Sequence, residues 1–231
     1  MFGLLALFSL SQVPEAPETS LVYAGMPQIS TADGVRLDMA WHTVTMVLDK
    51  ESAKVSCVTL FKNMSDKPVN AQVRIPVYVQ GWSTNYGRNV SVRWADNLVS
   101  PSSTATEEED SQTMRNAAYW RSYNVTFRPR AQRSLKTEMT LPIQVTGPDG
   151  MERQVAYEFG PTANELETMS MAVKYPASLV YRTIESSPRS WGWQVGATGA
   201  FMKRENVRLG QPTLAKFRFY RGGFEKIGDG Q

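Results

Sequence analysis

The 231-residue chain contains a single cysteine, Cys57, and a single histidine, His42. One cysteine excludes an intrachain disulfide framework, and two Cys/His side chains are too few for a tetrahedral zinc site. No Asp-x-Asp-x-Asp-Gly calcium loop occurs, and no cofactor is indicated. Lys and Arg (25) barely exceed Asp and Glu (22) and form no dense basic block, which argues against nucleic-acid binding.

Apolar runs long enough to span a bilayer are also missing. Phe2–Leu10 is apolar but much too short to cross as a helix. It resembles the apolar region of a secretory signal, although no Lys or Arg precedes it. We expect residues 1–20 to be a signal segment or a disordered tail. Export to the periplasm or exterior is the preferred location and the cytoplasm the alternative.

Alternation of apolar and polar residues with period two dominates the rest of the chain. Val35–Leu48 and Ala53–Asn63 flank the polar turn Asp49–Ser52 and predict a hairpin. About ten such strands, with no long helical pattern between them, predict an all-β antiparallel sandwich; a barrel is the alternative. We expect one domain over residues 21–222 and a frayed tail over 223–231.

Three local patterns give further expectations. Pro76 has no N–H for a sheet ladder, so its strand should lie at an edge or end nearby. Ser100–Gln112 is polar and acidic and predicts an exposed loop or short helix. Ala118–Phe127 and Ser134–Val145 flank the arginine-rich stretch Arg128–Arg133 and predict a second hairpin.

The stretch Phe61–Val77, "FKNMSDKPVNAQVRIPV", resembles a phrase found in exported bacterial β-rich proteins. Residues 25–63 resemble their first hairpin, residues 125–145 their second, and residues 191–219 their closing strands. The family is a group of uncharacterised secreted bacterial proteins, catalogued as a domain of unknown function. The resemblance implies export and a β-sandwich, and it supplies no catalytic residues.

Motifs of enzyme active sites are scarce in this chain. No Gly-x-Ser-x-Gly, P-loop, His-Glu-x-x-His or Gly-x-Gly-x-x-Gly pattern occurs. His42 and Cys57 lie on adjacent strands of the first hairpin, but a catalytic dyad would also need an orienting group and oxyanion donors. We expect a packed cysteine and a satisfied or surface histidine. A carboxylate pair for glycoside hydrolysis stays open, because spatial distance defines such a pair.

Aromatic residues provide the candidate ligand-binding positions: Trp82, Tyr86, Trp191 and Trp193. Trp82 and Tyr86 lie in a glycine-bounded loop, whereas Trp191 and Trp193 are two apart and would share one face of a strand. Such rings either stack on a sugar or partner surface or close the core; we expect at least one of Trp191 and Trp193 to be core. A group of arginines around the second hairpin either binds anions or protects a sheet edge: Arg121, Arg128, Arg130 and Arg133.

The leading hypothesis is an exported, non-enzymatic interaction or structural module of the cell envelope, with a protein or glycan as partner. The alternative is a carbohydrate-binding module or glycan-active enzyme that uses exposed Trp and Tyr rings. Buried rings would favour the first hypothesis, and an exposed row of coplanar rings the second. The sequence does not indicate an oligomeric state.

Overall fold

The computed structural model describes residues 21–32, 34–35, 37–80, 88–110, 115–146, 150–175 and 181–221. The expectations for residues 1–20 and 223–231 lie outside the described residues. The candidate positions Trp82 and Tyr86 lie outside them too.

Within the described residues, seventeen strands, numbered in chain order, form two sheets. Sheet A contains β1 (Leu21–Gly25), β2 (Gln28–Thr31), β5 (Val69–Gln80), β8 (Ser103–Asp110), β9 (Arg115–Phe127), β11 (Gln144–Thr146), β12 (Glu152–Phe159), β14 (Tyr181–Ser187) and β17 (Thr213–Arg221). Sheet B contains β3 (Leu37–Leu48), β4 (Ser52–Asn63), β6 (Arg88–Trp94), β7 (Asn97–Leu98), β10 (Gln132–Pro142), β13 (Leu166–Lys174), β15 (Gln194–Gly196) and β16 (Gly199–Val207).

The order in sheet A is β14-β17-β12-β1-β5-β9-β8, with β11 beside β12 and β2 beside β5. The order in sheet B is β15-β16-β13-β3-β4-β10-β6-β7. The predicted all-β sandwich is therefore confirmed, with more strands than the expected ten or so. Most strand pairs are antiparallel as expected, but both sheets are mixed, because β1 pairs with β12 and β3 with β13 in parallel. No helix among the described residues has the length and apolarity that crossing a membrane requires.

The core lies between the sheets and follows from the alternation in the sequence. Strand β4 alternates buried and half-exposed residues along most of its length, so one face of the strand points inward. Aromatic rings from both sheets meet there: the centroids of Phe61 in sheet B and Phe127 in sheet A are 6.2 Å apart. Burial of these inward faces is the main stabilising contribution to the fold.

The first predicted hairpin is confirmed, because β3 and β4 pair antiparallel with Val44 opposite Cys57. The register shifts between Met39 and Trp41, which indicates a bulge at this end of β3. Asn164 satisfies the backbone at this irregularity. Its Oδ1 accepts from the Met39 N–H at 3.1 Å, and its Nδ2 donates to the Met39 carbonyl at 2.9 Å.

The second predicted hairpin is wrong. Strand β9 pairs with β5 and β8 in sheet A, whereas β10 pairs with β4 and β6 in sheet B. The connection from β9 to β10 therefore crosses from one sheet to the other. The connection from β4 to β5 crosses as well, in the opposite direction. Alternation along a strand predicts which face is buried, but it does not select the neighbouring strand.

Asn63, the last residue of β4, joins these two crossovers. It is 1% exposed, and its Nδ2 donates to the carbonyls of Lys67 at 2.8 Å and Arg128 at 3.0 Å. Its Oδ1 accepts from the Ser65 N–H at 2.9 Å. Its backbone N–H donates to the Ala131 carbonyl at 2.9 Å. One buried amide thus satisfies backbone groups of both connections, as buried polar groups require.

Pro76 lies inside a strand with neighbours on both sides, so the edge-strand prediction is wrong. On one side it is opposite Trp120 of β9. On the other side, β2 pairs with residues 71–74 of β5 and β1 with residues 77–80, which leaves Pro76 at the gap between them. The ladder is interrupted at that point, so the proline costs no hydrogen bond there.

The acidic segment is a strand, not the expected loop or short helix. Ser103–Asp110 pairs antiparallel with β9 over its whole length and forms the outer strand of sheet A. A charged sequence without apolar periodicity is compatible with this position, because an edge strand need not bury a face. Charged residues also disfavour pairing with a further chain.

The Asn63 contacts generate a stability prediction. We expect Asn63→Ala to lower the free energy of unfolding by about 2–3 kcal/mol, because buried backbone groups of both crossovers lose their partner. Asn124→Ala is the matched control, since Asn124 is exposed on β9 and its loss should change stability by less than about 0.5 kcal/mol. Urea unfolding measures both. Equal midpoints for the two variants would contradict the role assigned to Asn63.

Candidate functional site

The outer face of sheet A carries a group of exposed, uncharged polar side chains on three neighbouring strands. We call it the polar array; its members are Ser30 of β2, Asn70 and Gln72 of β5, and Asn124 and Thr126 of β9. The pairing of Ser30 with Gln72 and of Gln72 with Asn124 produces one row across the strands. Asn70 and Thr126 pair in the next row. Alternate residues of these strands point into the core, so the array follows from the period of two.

The array lines an open cavity of about 540 Å³, within the size range of small-ligand sites. Its side chains are amides and hydroxyls, which both donate and accept hydrogen bonds. Thr126 Oγ1 donates to Asn70 Oδ1 at 2.8 Å. That bond uses the Asn70 carbonyl oxygen as its acceptor.

An aromatic cluster lies beyond the array on the same face. The ring centroids of Tyr23 and Tyr78 are 5.1 Å apart, and those of Tyr78 and Trp120 are 6.0 Å apart. Arg74 lies between the array and this cluster, with its guanidinium carbon 4.2 Å from the centre of the Trp120 ring. Trp120 is 5% exposed, so its ring supports Arg74 and offers little surface to a ligand.

Burial shifts the titration of two groups beside this cluster. It raises the pKa of Tyr23 to about 12, and the nearby charge of Glu158 acts in the same direction. Partial burial also raises the pKa of Glu158, while a hydrogen bond from Tyr78 opposes the shift. Both effects disfavour the charged form, as expected for groups partly removed from water.

The structure places Trp191 and Trp193 apart from the array. They do not share a regular strand, because Trp191 ends a short 3₁₀ helix, Arg189–Trp191, and Gly192 follows at a φ of 68°. Trp191 is 8% exposed and its ring centroid is 5.3 Å from that of Phe159. Trp193 is half-buried, with its centroid 5.0 Å from that of Phe217. Trp191 therefore belongs to the core.

His42 and Cys57 also point into the core. His42 is fully buried; its Nδ1 lies 2.8 Å from Thr59 Oγ1 and its Nε2 lies 2.8 Å from the Tyr157 hydroxyl. Burial lowers the pKa of His42 to about 3. Burial raises the pKa of Cys57 to about 11, although hydrogen bonds with Tyr157 and Thr137 lower that pKa in part. The imidazole is neutral and both of its nitrogens are satisfied.

This cluster has the features of a structural polar network. Cys57 is 2% exposed, and a raised thiol pKa disfavours the thiolate that nucleophilic attack needs. Within the described residues no group of three or more His, Cys, Asp and Glu side chains could hold a metal ion. The chain has no second histidine or cysteine. Because His42 and Cys57 are both buried, a substrate would have to displace core side chains to reach them.

The arginines around the β9–β10 crossover lie on different elements. Arg130 forms a bidentate pair with Asp66, with Nε 2.7 Å from Oδ1 and Nη2 3.1 Å from Oδ2. This pair is exposed and links the two crossovers at their surface. Arg121 lies on β9, Arg133 lies on β10, and Arg128 lies in the connection between them.

No family model matches the sequence, and no curated protein matches it. Among solved structures, it is similar to a "putative nutrient binding protein" from Legionella pneumophila, at 12% identity and a TM-score of 0.64. That similarity covers 87% of this chain and 72% of the other. An M1 zinc metallopeptidase from Deinococcus radiodurans aligns at 9% identity and a TM-score of 0.34, over 81% of this chain and 42% of the other. The Legionella similarity shows the fold alone.

The different environments of the two tryptophans lead to a prediction. Trp191→Ala should lower the free energy of unfolding by about 3–5 kcal/mol, because it removes a buried ring and leaves a cavity. Trp193→Ala should cost less, since its ring is half-buried. Urea unfolding of the two variants measures the difference. Wild-type midpoints for both would contradict core packing and support an exposed aromatic platform.

The buried histidine predicts a pH dependence of stability. The folded-state pKa of His42 is about 3, below the unfolded value of about 6.5. Its contribution is therefore present above pH ~6.5 and is lost as the pH falls toward 3. We expect the wild type to lose about 1.4 kcal/mol per pH unit more than His42→Gln in this window. Because the chain has one histidine, imidazole proton NMR provides a direct check: a signal that titrates near pH 6.5 would contradict burial.

Proposed function

We propose that this protein is an exported, non-enzymatic binding module of the cell envelope, and that the polar array is its binding surface. The observation that carries the proposal is the cavity of about 540 Å³ lined by Ser30, Asn70, Gln72, Asn124 and Thr126. Five exposed hydrogen-bonding side chains from three strands line this cavity. A few converging polar groups in a cavity of this size are typical of a ligand site.

The support that the strands give to the array strengthens this choice. Strand β5 lies between β1 and β2 on one side and β9 on the other, so Asn70 and Gln72 project from an interior strand. The alternate residues Val69, Ala71 and Val73 are buried. Side chains on rigid, packed elements lose less conformational entropy on binding than side chains on loops.

Burial of His42 and Cys57 supports a non-enzymatic role. These are the chain's one imidazole and one thiol, and they are 0% and 2% exposed. Both side chains point into the core between the sheets, whereas the array lies on the outer face of sheet A. Neither side chain therefore reaches the array. Hydroxyl and amide side chains without an activating base are suited to binding and poorly suited to nucleophilic catalysis.

Export and a place in the cell envelope rest on the apolar segment Phe2–Leu10 and on the resemblance to secreted bacterial β-rich proteins. We propose membership of that group on the same basis. The Legionella protein with a similar fold is described as nutrient-binding, which is compatible with a binding role. At 12% identity the match supports the fold and carries no ligand identity to this chain.

The test places a photo-reactive residue at Gln72 or, as a matched control, at Ser56 on the outer face of sheet B, in native cells. We expect cross-linked adducts from position 72 in the envelope fraction and none from position 56. Adducts from both positions, or from neither, would contradict the array as the binding surface. Recovery of the protein in the cytoplasm with Met1 intact would contradict export.

A further inference from the structure

The polar array differs in charge from other parts of the outer surface of the sandwich. Elsewhere on sheet A, Arg218 pairs with Glu152 at 3.8 Å and with Glu185 at 3.3 Å. On sheet B, Lys136 pairs with Glu138 at 2.8 Å and Lys203 with Glu205 at 2.5 Å. Such charged pairs are typical of a solvated face. The polar array on sheet A contains no Lys, Arg, Asp or Glu, although its five side chains are exposed. An exposed and uncharged hydrogen-bonding surface favours a ligand that is also polar and uncharged.

We propose that the polar array binds a neutral glycan chain, an inference that rests on the proposed function and names its ligand class. Each hydroxyl of a neutral sugar both donates and accepts a hydrogen bond. Amide side chains also do both, because each has an NH₂ group and a carbonyl oxygen. Three amides and two hydroxyls, without a formal charge, match this ligand better than they match a phosphate, a carboxylate or an ammonium group.

The spacing of the array suits a repeating ligand. Neighbouring strands lie about 4.8 Å apart, and side chains on one face of a strand recur about every 7 Å. Asn70 and Gln72 are consecutive members of one face of β5, and Thr126 and Asn124 are their partners on β9. The array thus repeats the pair amide–amide or amide–hydroxyl at a regular interval. A chain of similar sugar units can use the same contacts in successive rows.

Arg74 marks one end of the surface. It occupies the next outward position of β5 after Gln72, opposite Ser122. Its guanidinium carbon lies 4.2 Å from the centroid of the Trp120 ring. Contact with an aromatic ring restricts the position of a guanidinium group. The candidate surface is thus an amide surface that ends at this arginine, and not the aromatic platform that was the alternative interpretation of Trp191 and Trp193.

The test titrates the full chain with neutral hexasaccharides of glucose, xylose, mannose and N-acetylglucosamine, with hexagalacturonate as the anionic comparison. Isothermal titration calorimetry gives Kd. We expect at least one neutral chain to bind, with an affinity that hardly changes with ionic strength because no charge pair forms. Gln72→Ala and Asn124→Ala should each weaken binding at least tenfold. Ser56→Ala, on the other sheet, should leave it unchanged.

Three outcomes would overturn the inference: no binding of any neutral chain, binding that both array variants leave intact, or binding of hexagalacturonate alone with strong salt dependence. The cross-linking experiment separates this failure from failure of the proposed function. If the partner cross-linked at position 72 is degraded by protease and is not cleaved by periodate, that partner is a protein. The array would then be a protein-binding surface, and the glycan proposal would be rejected. No adduct at position 72 would reject both.

Discussion

The buried amide of Asn63 holds together the two connections on which the sandwich depends. Strands β4 and β10 are neighbours in sheet B, and their continuations β5 and β9 are neighbours in sheet A. Asn63 donates to Lys67 in one connection and to Arg128 in the other. Both strand pairs are therefore fixed relative to one another at the point where the chain changes sheets. A one-residue slip of β5 would turn Asn70 and Gln72 into the core and Ala71 and Val73 toward solvent.

The sequence predicts the faces of strands better than their partners. The hairpin of β3 and β4 follows from two alternating runs and a polar turn, and the all-β sandwich follows from many such runs. The prediction of a β9–β10 hairpin is wrong because two adjacent runs can pair with each other or with strands in separate sheets. The alternation of apolar and polar residues is the same in both cases. The prediction for β8 is wrong for another reason. Its pairing with β9 is formed by backbone hydrogen bonds, and the acidic side chains give no sign of that pairing in the sequence.

The candidate site was less accessible to sequence reasoning than the fold. Aromatic residues stand out in a sequence, so Trp191 and Trp193 were the obvious candidates; Pro188 and Gly192 instead shape a short 3₁₀ helix that turns Trp191 inward. The members of the polar array look like the ordinary solvent positions of separate strands. Only the sheet order brings Ser30, Gln72 and Asn124 into one row. In the same way, His42 and Tyr157 are 115 residues apart and meet through tertiary packing.

The two faces of sheet A combine the packing of the core with the surface proposed for binding. Inward side chains of β12, such as Tyr157, satisfy the buried His42, whereas the adjacent Glu158 points outward beside Tyr23. Strand β5 divides in the same way between buried valines and exposed amides. Because one backbone carries both sets, packing that rigidifies the core also fixes the spacing of the array. In the proposed binding role, a surface of neutral groups would gain selectivity from hydrogen-bond geometry, which a rigid sheet supplies better than a flexible loop does.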